Sequence, residues 1–241
     1  DMRAPVLIIA RKELNGLFDS LTAYILIIAF LGFSGFFTWI SGSDIFLRKE
    51  ADLAVFFGVS QWTLFFFIPA ITMKMIAEEN KSGTIELLLT KAITPRQVII
   101  GKFLACLSLI AITLAFTASY CITVSQLGNM DHGATLSGYL GLLLLSGAYI
   151  SIGLLASSLT NNQIIAFLLA LLMGVFFHFL FDMMAYSSRG AIAGLLSSLS
   201  ASRHFDSLSR GVIDSKDLLF FISLMVAGLY LAELFLAKRA K

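Results

Sequence analysis

Few residues in this chain are of types that do covalent chemistry, and they lie far apart. Gly32-Phe33-Ser34-Gly35 is a G-x-S-G run inside an uncharged apolar stretch. A serine there becomes a nucleophile only with a base, usually histidine, within hydrogen-bond reach. The histidine inside a long apolar stretch is His178. Asp182 follows four residues later, on the same face if the stretch is helical. Met173, Met183 and Met184 are near in sequence. Imidazole and thioether together suit a soft metal such as copper. Two ligands do not make a site, so no metal is assigned. The plainer expectation puts Asp182 near the membrane surface and His178 hydrogen-bonded inside a bundle. Ionisable groups within a membrane are functional candidates by default, so His178 and Asp182 are kept as candidates for a substrate pathway. Cys106 and Cys121 share one apolar run, about 22 Å apart on a straight helix and too distant to bridge. No G-x-x-x-x-G-K-[ST] run occurs, so the chain holds no nucleotide phosphates by a P-loop. No cofactor is expected on this chain.

The elements that position these residues follow from composition. Of 241 residues, 58% are hydrophobic and 13% charged, against about 25% charged in a soluble domain. This is an all-α polytopic membrane protein, read as a single domain over 1–241. The formal net charge of +2 is too small to point to nucleic acid. Residues 3–19 are amphipathic, with Leu7, Ile8, Leu14 and Phe18 able to share a face, and fit a helix lying in the interface. Six runs reach membrane length, at about 21–40, 53–77, 98–126, 136–158, 163–184 and 217–236. Pro69 should kink the second. Lys74 and Lys102 lie near span ends and are expected to snorkel to the headgroups. Ser137, Gly138, Gly141, Ser146 and Gly147 give the fourth run a small-residue surface for close helix contact. Thr160 and Gln163 form a T-x-x-Q capping box that opens the fifth. Between the fifth and sixth, 190–200 and 202–211 read as two short re-entrant helices, which lipid tolerates only where protein buries them.

Residues 78–97, EENKSGTIELLLTKAITPRQ, separate the second and third runs and carry the most structural signals. Gly83 interrupts the preceding helix. Thr84 is an N-cap with Glu86 in the first turn. Ile85, Leu88 and Leu89 make one apolar stripe, and Lys91 has the right sign for a C-terminus. Thr94, Pro95 and Gln97 then form a second start with a capping box. A short helix across the membrane surface is expected here. Lys and Arg divide eleven to six in favour of the side bearing both termini and 78–97, which the positive-inside rule makes cytoplasmic.

The chain resembles a permease subunit of the type 2 ABC transporters. EENKSGTIELLLTKAIT resembles that family's E-E-(basic)-x-x-G-T-(apolar)-E-x-L-L segment between spans two and three, and Gly101-Lys102-Phe103 follows it as in the family. RKELNGLF resembles its opening interfacial helix, and LLASSLTNNQIIAF (154–167) its turn between spans four and five. Within the family, TMKMIAEENKSGTIELLLTKAIT and SLSRGVIDSKDLLFFISL are similar to the gliding-motility and nitrous-oxide-reductase-maturation permeases, the gliding-motility branch (GldF-like) being favoured. Ala92 and Leu21 depart from the family, which often has proline at both places.

That resemblance implies an ATP-driven exporter in a bacterial inner membrane, with both termini cytoplasmic. Its partners would be an ABC ATPase subunit dimer using ATP and Mg, a second permease copy or paralogue, and an accessory subunit with a large periplasmic domain. The helix in 78–97 would be the coupling helix, with Leu88 and Leu89 entering an ATPase cleft. Glu78, Glu79, Lys81 and Glu86 would form its rim, and Gly83 and Thr84 its start. Leu195, Phe205 and Arg210 would help shape an outer gate, with Leu195 on a buried face. An alternative from another class is a rhomboid-like intramembrane serine protease built on Ser34 and His178. Rhomboids place the serine in a middle span and the histidine in the last, unlike this chain, and small-residue clusters in apolar helices usually serve packing.

Overall fold

A computed structural model describes residues 3–41, 50–84 and 93–239. All regular structure among the described residues is helical. An apolar chain in lipid favours helices because each one satisfies its own backbone polar groups. An N-terminal helix, Arg3–Asp19, comes first. Six helices long and apolar enough to cross a membrane follow: Thr22–Trp39, Ala54–Ser82, Pro95–Leu127, His132–Leu159, Gln163–Ser187 and Ser215–Lys238. They are spans one to six. Two short helices, Ala191–Ser197 and Ala201–Ser209, lie between spans five and six.

Span four is the axle. Of its apolar window 83% is buried, against 17% in span six and 22% in span five, so neighbours surround it nearly on all sides. The small residues expected to allow this are all buried: Ser137, Gly138, Gly141, Ser146 and Gly147. A Cβ on Gly138 would lie 2.3 Å from the Phe57 ring, so only glycine admits span two so closely. Spans two and four run in the same direction. Phe57 meets Gly138 near their starts. Near their ends, the Ser157 hydroxyl accepts from the N–H groups of Ile76 (3.1 Å) and Ala77 (2.9 Å) and donates to the Met73 carbonyl.

Local signals set most boundaries. Gly83 ends span two in the left-handed region, φ 70°, where glycine has no Cβ penalty. Thr94 caps span three with the full reciprocal box, its hydroxyl accepting from Gln97 N–H and the Gln97 side chain accepting from Thr94 N–H. Pro69 lies inside a helix that continues to Ser82.

Several expectations are corrected. Span five is capped by Asn162, not Thr160: Asn162 Oδ1 accepts from Ile164 N–H, while Thr160 Oγ1 accepts from Asn162 N–H. Asn162 stands immediately before the first helical residue, Gln163, and Thr160 two residues further out, so the capping box does not form. Span three is not one straight helix. It divides at Thr117 into Pro95–Phe116 and Ala118–Leu127. There the Tyr139 phenol donates to the Thr117 carbonyl and lies 2.7 Å from the Thr117 hydroxyl, competing with the helical ladder. Span five carries a π turn at Phe176–Leu180. The N-terminal helix buries Ile9 and Leu17 and leaves Leu7 and Ile8 exposed. Its inward face is chosen by a gap on span three at Gly101.

Candidate functional site

Three elements meet at the end of the bundle where span two stops and span three starts. Lys102 is 1% exposed, so it does not snorkel as its position in the first turns of span three led us to expect. Its Nζ lies 2.8 Å from Glu79 Oε1 at the end of span two, and 3.1 Å from Glu13 Oε1 in the N-terminal helix. A buried ammonium needs such partners, because leaving water costs several kcal/mol per ion. One lysine faces two carboxylates, and Glu79 Oε2 finds no partner among the described residues.

Gly101 stands beside it. A Cβ there would come within 2.7 Å of Ile9 Cγ2 and 3.2 Å of the Val6 carbonyl oxygen. Glycine at 101 therefore lets the N-terminal helix lie flat on span three, and Lys102 fastens it there. Phe103 is also buried. The three residues thus supply a gap, a charge and core packing in succession. At the same end, Lys74 donates to the Thr22 hydroxyl at 2.9 Å instead of running out to headgroups, tying spans one and two.

Glu79 is thereby turned inward, away from the docking rim in which sequence placed it. Glu78, Lys81, Gly83 and Thr84 are exposed, and Thr84 Oγ1 lies 2.8 Å from the Ser82 hydroxyl. Glu86, Leu88 and Leu89, with the rest of 85–92, lie outside the described residues. An open cleft lined by Lys81 and by Leu159 to Ile164 lies at this end too.

His178 and Asp182 do not form one site. His178 is buried, its Nδ1 2.5 Å from the Tyr149 phenol, between the rings of Trp62 and Phe65. Asp182 instead pairs with Arg203 of the second short helix. Met183 and Met184 are exposed, so the thioethers do not gather at the imidazole. Among the described residues, no three His, Cys, Asp or Glu side chains are grouped to hold a metal. Cys106 and Cys121 are both free thiols.

Nor does a nucleophile–base pair form. Ser34 Oγ donates to its own helix at the Leu31 carbonyl, 3.5 Å away, while His178 Nδ1 is occupied by Tyr149. Small residues around Ser34 serve helix contact: a Cβ on Gly35 would meet the Tyr120 phenol at 2.9 Å.

At the opposite end, Phe205 is buried against Gly141 of span four. Arg210 donates through Nε to the Asp206 carbonyl, 3.0 Å away. Leu195 is 69% exposed and not on a buried face. The helix Ala191–Ser197 fully buries no residue, so among the described residues nothing covers the face that carries Leu195. Burial pushes the Asp206 carboxyl up, while the nearby Arg210 pulls it down.

Sequence reasoning did not foresee the Glu13–Lys102–Glu79 joint or Ser157. A signal existed for the first. A lysine in an apolar helix needs a carboxylate, and both glutamates lie at the ends of elements that topology brings together.

Fold and site together define the class, a six-span helical membrane protein in which the buried ammonium of Lys102 joins three helices at one end. The family model described as "ABC-2 family transporter protein" matches residues 7–236. The chain therefore belongs to the ABC-2 transporter family and is a permease subunit of an ABC transporter, the ATPase activity being carried by a separate subunit. No curated protein gives a match.

Proposed function

We propose that this permease is half of the membrane path of an ATP-driven exporter, and that residues 84–92 form the coupling helix on which the ATPase subunit docks. The observation that carries the reading is the buried joint. Glu79 is four residues before Gly83, and Lys102 follows Thr94 by eight, so both roots of the 84–92 connection are fastened to each other and to the N-terminal helix. A push on the connection then moves three helices as one body. The sequence of 84–92, with Thr84 at its start, Glu86 in the first turn and Leu88 and Leu89 on one stripe, supports a docking helix. Glu78 and Lys81 belong to its polar rim in this reading. Glu79 belongs to the joint behind it.

Partners in this proposal are an ATPase dimer, a second permease copy or paralogue, and an accessory subunit with a large periplasmic domain. The membrane is a bacterial inner membrane, with both termini in the cytoplasm, as the eleven-to-six division of Lys and Arg supports. The gliding-motility branch is favoured by the two segments quoted above, and a mechanical output is compatible with a joint that moves helices together. Outer residues Phe205 and Arg210 belong to the gate side, and His178 to the wall of the path.

Pull-down of the ATPase tests the docking assignment. Buried apolar anchors dominate such contacts and rim charges contribute little. Leu88→Ala should cost roughly 2 kcal/mol, about thirty-fold in affinity, and Lys81→Ala far less. Wild-type association by a Leu88→Ala, Leu89→Ala double mutant would remove 84–92 from the docking site. Cysteines placed at 84–92 and labelled from outside whole cells would overturn the orientation.

A further inference from the structure

His204 joins the three pieces that close the end of the bundle opposite Lys102. It lies in the short helix Ala201–Ser209, which Ser200 caps by accepting from Arg203 N–H. Its Nδ1 is 2.6 Å from Asp217 Oδ1, in the first turn of span six. Its Nε2 is 2.9 Å from the carbonyl oxygen of Ser198, at the end of the preceding short helix. The imidazole stacks on Phe220, with ring centroids 4.2 Å apart and planes 22° from parallel. Asp217 is buried, and its Oδ2 has no partner among the described residues.

Hydrogen count ties the state of this ring to that of Asp217. A carbonyl oxygen only accepts, so Nε2 must carry a hydrogen to bond Ser198. An ionised carboxylate also only accepts, so Nδ1 must carry one to bond Asp217. A neutral imidazole has a single N–H. Beside an ionised Asp217 only the imidazolium makes both contacts, and it gives the buried carboxylate its counter-charge; a neutral ring makes both only if Asp217 carries the proton.

We infer that His204 is a proton-held clamp on the helices between spans five and six. Charged, it ties Ser198, Asp217 and its own helix together. On losing one ring proton to solvent it keeps one of the two bonds and leaves Asp217 a buried carboxylate without a cation. The clamp is closed while the ring holds both protons and opens when raised pH removes one.

Other charged groups surround the ring. From span six and the turn before it, Asp217 touches the ring, Asp214 lies close enough to feel its charge, and Lys216 is engaged with Asp214. Asp214 is held below the usual carboxylate range, first by the backbone N–H of Lys216. On the helix of His204 itself, Arg203 is turned to Asp182 of span five, and Asp206 sits beside Arg210. The preceding short helix, Ala191–Ser197, has no titratable side chain. Span four packs on this helix through Phe205 and Leu208 at Gly141, and the carboxylate at its start, Asp131, accepts from Ala134 N–H. The helix is thus fixed on two sides. Arg203 holds one through Asp182, and His204 holds the other while protonated. The inference does not depend on the ATPase reading.

The test uses the full chain in lipid nanodiscs, labelled with nitrogen-15 at its three histidines. Ring nitrogen signals distinguish imidazolium from neutral imidazole directly. The His204 ring is assigned by its loss in His204→Gln, and independently in the wild type by transfer from the stacked Phe220 ring, so assignment does not require a folded variant. His204 is expected to show two protonated nitrogens while the clamp is closed and to lose one as pH is raised. As the ring loses that proton, amide exchange in 198–217, corrected for the chemical rate, should rise. In His204→Gln the corrected rates should not change with pH. A His204 ring with one bare nitrogen at every pH overturns the imidazolium, whether the proton then sits on Asp217 or is absent. Corrected exchange in the wild type that ignores the ring's proton overturns the clamp.

Discussion

At one end of the bundle Lys102, 1% exposed, lies between Glu13 and Glu79. At the other, Arg203, 45% exposed, pairs with Asp182, 33% exposed. Both are charge pairs that join helices distant in sequence, yet they differ in what they do. The lysine has left water entirely, so its two carboxylates are a condition for burying it. Arg203 and Asp182 keep much of their solvent, and water screens their attraction. The first is a joint that fixes three helices. The second is a tether whose loss water can repair. The lesson is that burial, not the presence of an ion pair, says which charge a fold depends on.

The sharpest way to break this comparison is Lys102→Met. Two carboxylates would then lie together without a cation, and removal of one member of a buried pair costs about 3–5 kcal/mol. Thermal unfolding of the purified protein should show a large loss, and little folded protein should be recovered from membranes. Wild-type stability would mean that water reaches the joint. Adding Glu13→Gln and Glu79→Gln to Lys102→Met should recover much of the loss, because the uncompensated charge is gone.

Gly101→Val comes next. Its branches would enter the space of Ile9, and overpacking of this kind costs about 1–3 kcal/mol. Ile9→Ala in the same chain should restore part of it, and failure to do so would remove the close approach as the reason for glycine. Gly83→Val puts a β-branched residue at φ 70°, a strain of about 1–2 kcal/mol. Its effect should appear in ATPase-coupled transport more than in melting, since residue 83 is exposed. Arg203→Ala should have the smallest effect, about 0–1 kcal/mol for an exposed pair, and should vanish at high salt. A loss as large as that of Lys102→Met would erase the distinction between the two ends.

Much of the fold was legible because its signals are local. A run of apolar residues needs no partner to declare that it belongs in lipid, and all six spans stand within a few residues of their expected limits. Gly83 and the Thr94–Gln97 box work within four residues of themselves, and both do what their types require. The Thr160 box failed because a better cap, Asn162, stood two residues nearer the helix. Leu195 failed for a different reason. Periodicity says that a face is apolar, but whether anything covers it depends on the neighbours, and among the described residues nothing does.

By itself the sequence determined the class of protein, the number and limits of its spans, and the turn at Gly83, since hydropathy, glycine and capping act over a few bonds. Only the tertiary structure decided where the charges point. Lys102 and Lys74 have nearly the same sequence context, a lysine near a span's end, and one expectation served both. The fold gave Lys102 two carboxylates from helices 23 and 89 residues away, and gave Lys74 a threonine 52 residues away. In His204 it matched a ring with two nitrogens to two acceptors from separate elements. Such pairings are set by which helix ends arrive together, and packing around the glycines and serines of span four settles that, over distances no local pattern encodes.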